Sequence, residues 1–301
     1  MANAITTITK YLPLLDEVYQ NSSKTTGLDA PEGLIRETEV AGTFLIAKMS
    51  LDAMGDYSRA TGFVDGDATL TWESHTFSQD RARSFSIDNM DNLETADIAF
   101  GRLSGEFIRT AVVPEVDAYR FATLAAGAGT EASADLTAAT TVEAIDTAQV
   151  VMDDAEVPEE GRILYATSQM IKNVQNSDLF VRNVDITAVG GINRTVSTFD
   201  DMEVVKVPQS RFYSAITLLD GSTASEEAGG YTKAAAAFNL NFMIVHPSSV
   251  VSAVKHNKIR SFSPDVNQNK DAYKYDYRLY YDLFVLDNKT DGIYVHTVAQ
   301  A

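Results

Sequence analysis

Between Tyr57 and Arg120 the chain sets three patterns in an order that few architectures accommodate: a polar hairpin, a joint rich in Asp and Arg, and a long amphipathic helix. A lone globular enzyme rarely needs such an arm. Asp65-Gly66 is a two-residue turn signal, because these residue types reach positive φ at low cost, and it predicts a hairpin between Thr61–Val64 and Asp67–Glu73. Leu70 and Trp72 alternate with Thr69, Thr71 and Glu73, which gives the ribbon one apolar and one polar face. A two-stranded ribbon is marginally stable alone and must lie on a surface, either its own domain's sheet or a second molecule. Trp72, the only tryptophan, is its expected anchor.

Asp91 followed by Glu94 has the form of an acidic N-cap with its capping-box partner. Beyond it Ala96, Phe100, Leu103, Phe107 and Ala111 recur at steps of three and four, while Arg102, Glu106 and Arg109 fall outside the stripe. Pro114 removes a backbone donor, so the helix should kink or restart near Val112, with Tyr119 and Leu124 continuing the apolar face until Gly127-Ala-Gly129. Upstream, Ile5, Ile8, Leu12, Leu15 and Tyr19 give a short arm a narrow apolar stripe. A segment that short stays helical only by docking, on its own domain or elsewhere. Glu37 to Met49 reads as a strand.

Downstream the expected elements are a helix over Thr140–Asp154, a turn at Pro158–Gly161, a buried strand at Ile163–Ala166 and a helix over Ser168–Gln175. Strands are expected at Met202–Val207, Ala215–Leu219, Phe238–Val245, the tyrosine-dense Tyr273–Leu286 and Gly292–Val298, with an acidic, glycine-rich loop over Asp220–Gly230. There is no internal repeat and no flexible interdomain linker. The class is α+β.

At 301 residues and 45% hydrophobic composition the chain can bury a sizeable core. Cysteine is absent, which excludes disulfides, thiol nucleophiles and thiolate metal sites. Apolar runs such as Phe242–Val245 are far shorter than a bilayer span, and no signal-peptide pattern opens the sequence, so a soluble, cytoplasmically made protein is expected. The formal charge of -18 argues against a direct nucleic-acid binder, since phosphate affinity needs clustered Lys and Arg. Acidity either keeps the chain soluble or makes a wall that holds nucleic acid without adhering to it.

No chemistry-bearing constellation emerges. His75, His246, His256 and His296 are scattered without metal-ligand spacing. Asp65-Gly-Asp67 lacks the later oxygen ligands of a calcium loop, because Thr69 and Thr76 hold the fifth and twelfth places. There is no nucleophile elbow, phosphate loop or dinucleotide fingerprint. Asp153-Asp154 and Asp200-Asp201 are the carboxylate pairs open to acid/base work, yet adjacent aspartates are usually solvated. Neither catalytic, cofactor-binding nor metal residues are expected, and the protein is read as a non-enzyme.

The run Asp80-Arg81-Ala-Arg83-Ser-Phe85-Ser-Ile87-Asp88 and the run Val113-Pro-Glu-Val-Asp-Ala-Tyr-Arg120 carry a resemblance to the major capsid proteins of tailed bacteriophages, which have the Hong Kong 97-like fold. Tyr57-Ser-Arg59 with Gly62-Phe63 is similar to segments of capsid proteins from phages of low-GC Gram-positive bacteria. Phe242-Met-Ile-Val-His246-Pro247 and Tyr277-Arg278-Leu-Tyr280 extend the resemblance over nearly the whole chain. It implies an N-terminal arm at 1–33, an extended β-hairpin loop region at 34–90, a peripheral domain with a long spine helix at 91–141 and 255–283, and an axial domain at 142–254 and 284–301. Within this division Asp52–Asp80 would be the extended loop and Asp91–Ala126 the spine helix, with Tyr273–Leu283 running beside it.

The resemblance further implies self-assembly as hexamers and pentamers into an icosahedral head, the hairpin of each subunit lying over a neighbour. The expected interface residues are Arg59, Phe63, Trp72, Glu73, Asp80, Arg81, Arg83 and Asp88. Of these, Asp80, Arg81, Arg83 and Asp88 are expected in ion pairs that fix the angle between loop and spine helix, within or between subunits. Implied partners are further copies of the chain, a scaffolding protein, a portal protein, an optional decoration protein and packaged double-stranded DNA without sequence-specific binding; no membrane is involved. The location is the virion, after assembly in the host cytoplasm.

Two departures from the family pattern bear on mechanism. Only some thirty residues precede the first strand region, too few for a fused scaffolding segment, so a separate scaffolding protein is expected. No lysine lies between Lys48 and Lys172, so a lysine cross-link from the extended loop is not expected. Two other readings compete: an encapsulin-like nanocompartment shell, and a monomeric acid/base hydrolase using Asp200 or Asp201.

Overall fold

The computed structural model describes residues 23–29, 36–37, 43–60, 62–90, 98–177 and 198–299. The arm stripe from Ile5 to Tyr19 and the capping pair Asp91 and Glu94 lie outside the described residues.

The hairpin is longer than its turn signal suggested. β1 (Arg36–Glu37), β2 (Thr43–Leu51) and β3 (Ala68–Thr76) form one antiparallel sheet, with Met49 opposite Leu70 and Leu51 opposite Ala68. The expected strand at Thr61–Val64 does not pair with β3, and Asp65-Gly66 is not a two-residue hairpin turn. The β-rich run at Phe44–Ile46 outcompetes it, and residues 52–67 form the connection, closed by Asp52 N–H donating to the Asp67 carbonyl at 3.1 Å. Lys48 stands on the hairpin's own β2 strand, just before the lysine-free stretch 49–171.

β4 (Gln79–Asp88) follows almost directly and alternates between half-buried and exposed side chains. The long helix is continuous but changes winding: α1 (Ile98–Phe107) passes through a π-helical turn (Ile108–Val112) into α2 (Val113–Ala126). Val113 N–H donates to the Ile108 carbonyl five residues back, and Pro114 falls in the first turn of α2. Proline lacks a donor and clashes with the preceding turn, so the extra residue of a π turn accommodates it without breaking the helix. α2 ends at Gly127, where a Cβ would lie 2.7 Å from the Val285 side chain.

Next come β5 (Thr130–Ser133), α3 (Thr141–Asp154), β6 (Ile163–Thr167), α4 (Ser168–Asn176), β7 (Thr198–Phe199) and β8 (Met202–Val207). The chain then forms the small ladder of β9 (Ile216–Leu218) with β10 (Tyr231–Lys233), then β11 (Leu240–Val245), β12 (Val250–Phe262), β13 (Ala272–Val285) and β14 (Ile293–Thr297). Two sheets carry the body: β5-β14-β11-β6-β8-β7, and β12-β13-β4. The first is mixed, with β6–β8 and β14–β5 parallel.

The long helix joins these sheets. Its middle lays Ile108, Val112, Val113 and Val116 on Tyr275, Tyr277, Leu279 and Tyr281 of β13, alternate residues of a strand whose opposite face is open only around residues 274–278. Its second half packs Phe121 and Leu124 against Tyr165, Met243, Val245 and Val295 of the six-stranded sheet. The opposite face of that sheet is covered by Ile145 and Met152 of α3 and Met170 and Val174 of α4. Because both faces are covered, β6 and β11 are buried along their whole length, as continuous apolar runs require. A fully buried Phe or Leu side chain here contributes roughly 1.5–3 kcal/mol. Among the described residues no helix is long and apolar enough to cross a membrane.

Candidate assembly surface

Beyond its base the hairpin leaves large apolar side chains exposed. Register places Met49, Leu51, Leu70 and Trp72 on one face of the ribbon. Trp72 is 48% exposed and the other three are more exposed still. At the far end Ser58 and Gly62 exchange backbone hydrogen bonds of 3.1 and 2.7 Å around a turn holding Arg59, with Gly62 at φ 85°, where glycine is unstrained. Phe63 stacks edge-on against Tyr57 at 5.0 Å yet remains 88% exposed, and Met54 and Val64 stand beside this pair in sequence and are exposed too. Exposed patches of this kind mark protein contact sites in soluble chains.

The hairpin base is fastened to the body. Phe77 packs on Tyr280 and Phe284 of β13. Ser78 N–H donates to Asp282 at 2.7 Å, and the Tyr119 hydroxyl on α2 donates to the other carboxylate oxygen at 2.7 Å. Burial pushes the Tyr119 phenol above its ordinary pKa, which keeps this donor protonated. On the polar side Lys48 reaches Asp287 at 3.4 Å, and Glu73 lies 3.5 Å from His75.

The charged joint is β4 itself. Arg81 points toward the helix and grips Glu115 through two bonds of 2.6 and 3.2 Å, while also donating to the Gly230 carbonyl at 3.4 Å. Arg83 donates to the Glu227 carbonyl at 3.0 Å and so ties the glycine-rich loop to the same strand. On the open face Asp80 receives Arg278 through bonds of 2.9 and 2.5 Å, and this guanidinium holds the Asp80 carboxyl below its ordinary pKa. Asp88 accepts the Met90 backbone N–H at 2.9 Å and ends the strand. Within one subunit, therefore, Arg81 and Asp80 make the ion pairs, Arg83 bonds to backbone, and Asp88 acts as a local cap.

Sequence reasoning missed a third cluster. Asp117 is fully buried and accepts hydrogen bonds from Ser23 Oγ at 2.9 Å, Lys24 N at 3.0 Å, Thr25 Oγ1 at 2.9 Å and Arg211 at 3.1 Å. One turn on, Arg120 is 1% exposed and donates to Thr25 Oγ1, Asp29 and Ser252 at 2.7–2.8 Å. Its signal was available, since two opposite charges three residues apart interrupt the apolar stripe between Val116 and Phe121. Together they bolt residues 23–29 onto the long helix.

The carboxylates set aside for acid/base work serve the backbone. Asp200 and Asp201, at φ 42° and 61°, form the tight connection between β7 and β8. Asp153 pairs with Arg162 at 2.7 Å. Among the described residues no group of three or more His, Asp or Glu is placed to hold a metal ion.

No family model and no curated protein sequence matches the chain. Solved structures do. A structure titled Mycobacterium phage Che8 superimposes with TM-score 0.60 at 17% identity, covering 85% of each chain. The capsid structure of the cyanophage P-SCSP1u gives 0.58 at 13% identity, over 88% of this chain and 86% of that one. The asymmetric unit of the bacteriophage PhiM1 mature capsid gives 0.54 at 14% identity, over 91% and 90%. Likeness of this extent at such low identity is a likeness of architecture, and the chain has the Hong Kong 97-like capsid fold.

Proposed function

We propose that the chain is a shell-building major capsid protein of the tailed-phage type, with a structural role and no enzymatic one. The observation that carries this reading is the hairpin: a capsid-fold subunit projects a ribbon with an apolar face about half exposed and an aromatic tip, Phe63, almost fully exposed. Such a surface is satisfied by a second copy, and repetition around symmetry axes closes a heterologous contact into rings. In this reading the hairpin over 43–76 is the extended loop, and the helix from Ile98 to Ala126 with β12, β13 and β4 forms the peripheral domain. The six-stranded sheet with α3 and α4 is then the axial domain. Hexamers and pentamers assemble with a separate scaffolding protein and a portal protein, enclose double-stranded DNA, and place the chain in the virion.

The test is electron microscopy of the chain expressed with and without a candidate scaffolding protein from the same genome. Closed shells or capsomer rings containing this chain support the reading. A strictly monomeric protein under both conditions overturns it. Particles that consistently enclose an enzyme in place of nuclease-protected DNA would reassign it to a nanocompartment shell.

A further inference from the structure

The open face of the β12-β13-β4 sheet runs against the charge of the whole molecule. Register sets Lys258 opposite Arg278 and Arg260 opposite Asp276, with Lys274 and His256 on the same face. The β4 residues beneath are small, Ala82 and Ser84, so the face dips into a trough of about 490 Å³. Two of its cations are already paired, Arg278 with Asp80 at 2.5 Å and Lys274 with Asp276 at 3.2 Å. Lys258 and Arg260 are exposed and make no ion pair among the described residues. A chain of net charge -18 thus concentrates uncommitted positive charge in one place.

Edge-strand protection explains part of this, since lysines on an exposed edge such as β12 discourage strand addition. It does not explain Lys274 and Arg278, which lie on the central strand. Protein contact is disfavoured by the composition. Among the described residues, none of the large exposed apolar side chains lies on the strand segments 256–262, 274–280 or 80–86, whereas the hairpin carries eight of them from Met49 to Trp72. Hot spots of protein interfaces need such anchors, and phosphate surfaces do not. Residues two apart on one face stand about 6.8 Å apart, the length of about two axial rises of 3.4 Å per phosphate of one duplex strand. Over a Debye length of about 8 Å the local cations, not the distant acidic surface, set the potential.

We infer that this sheet face is a sequence-independent binding surface for the phosphodiester backbone of duplex DNA, centred on Lys258 and Arg260. It deepens the shell reading by naming where packaged DNA would touch the subunit, and it revises the sequence-based expectation that an acidic chain would only repel DNA. Its test needs no particle. Fluorescence anisotropy of labelled short duplexes should show binding by the full chain at about 50 mM salt that is indifferent to base sequence and falls with log salt at a slope of about -2. Lys258→Glu with Arg260→Glu should lose tenfold or more, with an unchanged melting temperature, while Lys258→Arg with Arg260→Lys retains binding. Absence of binding at that salt, or a charge-reversed variant that binds as well as the parent, overturns the inference. So does binding of poly-glutamate without binding of DNA, which would give the face to an acidic protein. Shell formation, scored separately by microscopy, reports on the proposed function and not on this surface.

Discussion

The buried carboxylate of Asp117 lies 3.1 Å from the Arg211 guanidinium, so an ion pair closes over the place where residues 23–25 enter the core. Removing one partner of such a pair leaves the other uncompensated and costs about 3–5 kcal/mol. Asp117→Ala should lower the unfolding free energy measured by urea titration by that amount and open the chain to limited proteolysis near Lys24. A variant as stable as the parent would show that the segment is held by other means.

Phe63 and Trp72 should separate folding from assembly. Phe63 is largely exposed and Trp72 about half exposed in the subunit, and Phe63→Ala should change its stability by no more than about 0.5 kcal/mol. Each anchor lost from an assembled contact costs on the order of 2–4 kcal/mol. Particle yield of Phe63→Ala and Trp72→Ala, scored by gradient sedimentation, should therefore collapse while circular dichroism stays native. Normal yields would remove the hairpin from the interface.

Arg81 and Glu115 should behave as a couple. Arg81→Glu sets two carboxylates against each other where the parent has a partly buried, bidentate contact, and hydrogen bonds to charged groups of this kind contribute about 1.5–3 kcal/mol. Chemical denaturation should register that loss, and particles should become irregular. The swap Arg81→Glu with Glu115→Arg should recover most of both, and failure to recover would mean that Arg81 acts through another group.

His296 should make the subunit acid-sensitive. It is 4% exposed, stacks on Phe242 at 4.9 Å and holds Nδ1 3.2 Å from the Asn241 amide, and burial pushes its pKa below the ordinary 6.5. The unfolded chain then binds the proton more readily than the folded one. This contribution to stability is complete above about pH 6.5 and declines as pH falls through that value toward the lower folded pKa. Melting temperatures recorded from pH 8 to about pH 5 should fall in that window, and His296→Gln should flatten the fall. An unchanged slope would assign the acid sensitivity to carboxylates.

Lys48 is the one hairpin lysine among the described residues, and it is paired with Asp287 of its own chain. Shells boiled in detergent should therefore release a single band at monomer mass. A ladder that Lys48→Arg abolishes would place a covalent bond at this residue.

Elements built from continuous apolar runs were legible in the sequence. β6, β11 and β14 lie within a residue or two of their expected bounds, because strands buried on both faces are predominantly apolar, and Met202–Val207 has the expected bounds although its Glu203 and Lys206 are exposed. β4 was not legible as a strand. Its inward positions include Arg81 and Arg83, whose partners come from α2 and from the loop before β10, and no local pattern announces a partner distant in sequence. β12 was hidden for a related reason: a register shift between Val254 and His256 breaks its alternation. The hairpin's position was legible, but its pairing was not, since a strong local turn signal at Asp65-Gly66 lost to the longer ladder of Thr43–Leu51 with Ala68–Thr76. Interface residues were chosen as chemistry, and Arg81 and Asp80 proved to have partners inside the subunit.

The short passage through Phe77 and Ser78 from β3 into β4 makes the hairpin a lever with a defined fulcrum. Its nine-residue strands span about 30 Å, so a rotation of about 10° at those two residues swings the far end through about 5 Å. If the proposed shell forms, chemically identical subunits would meet neighbours at different local curvatures by adjusting this one pivot, with the aromatic clamp of Phe77, Tyr280 and Phe284 setting its stiffness.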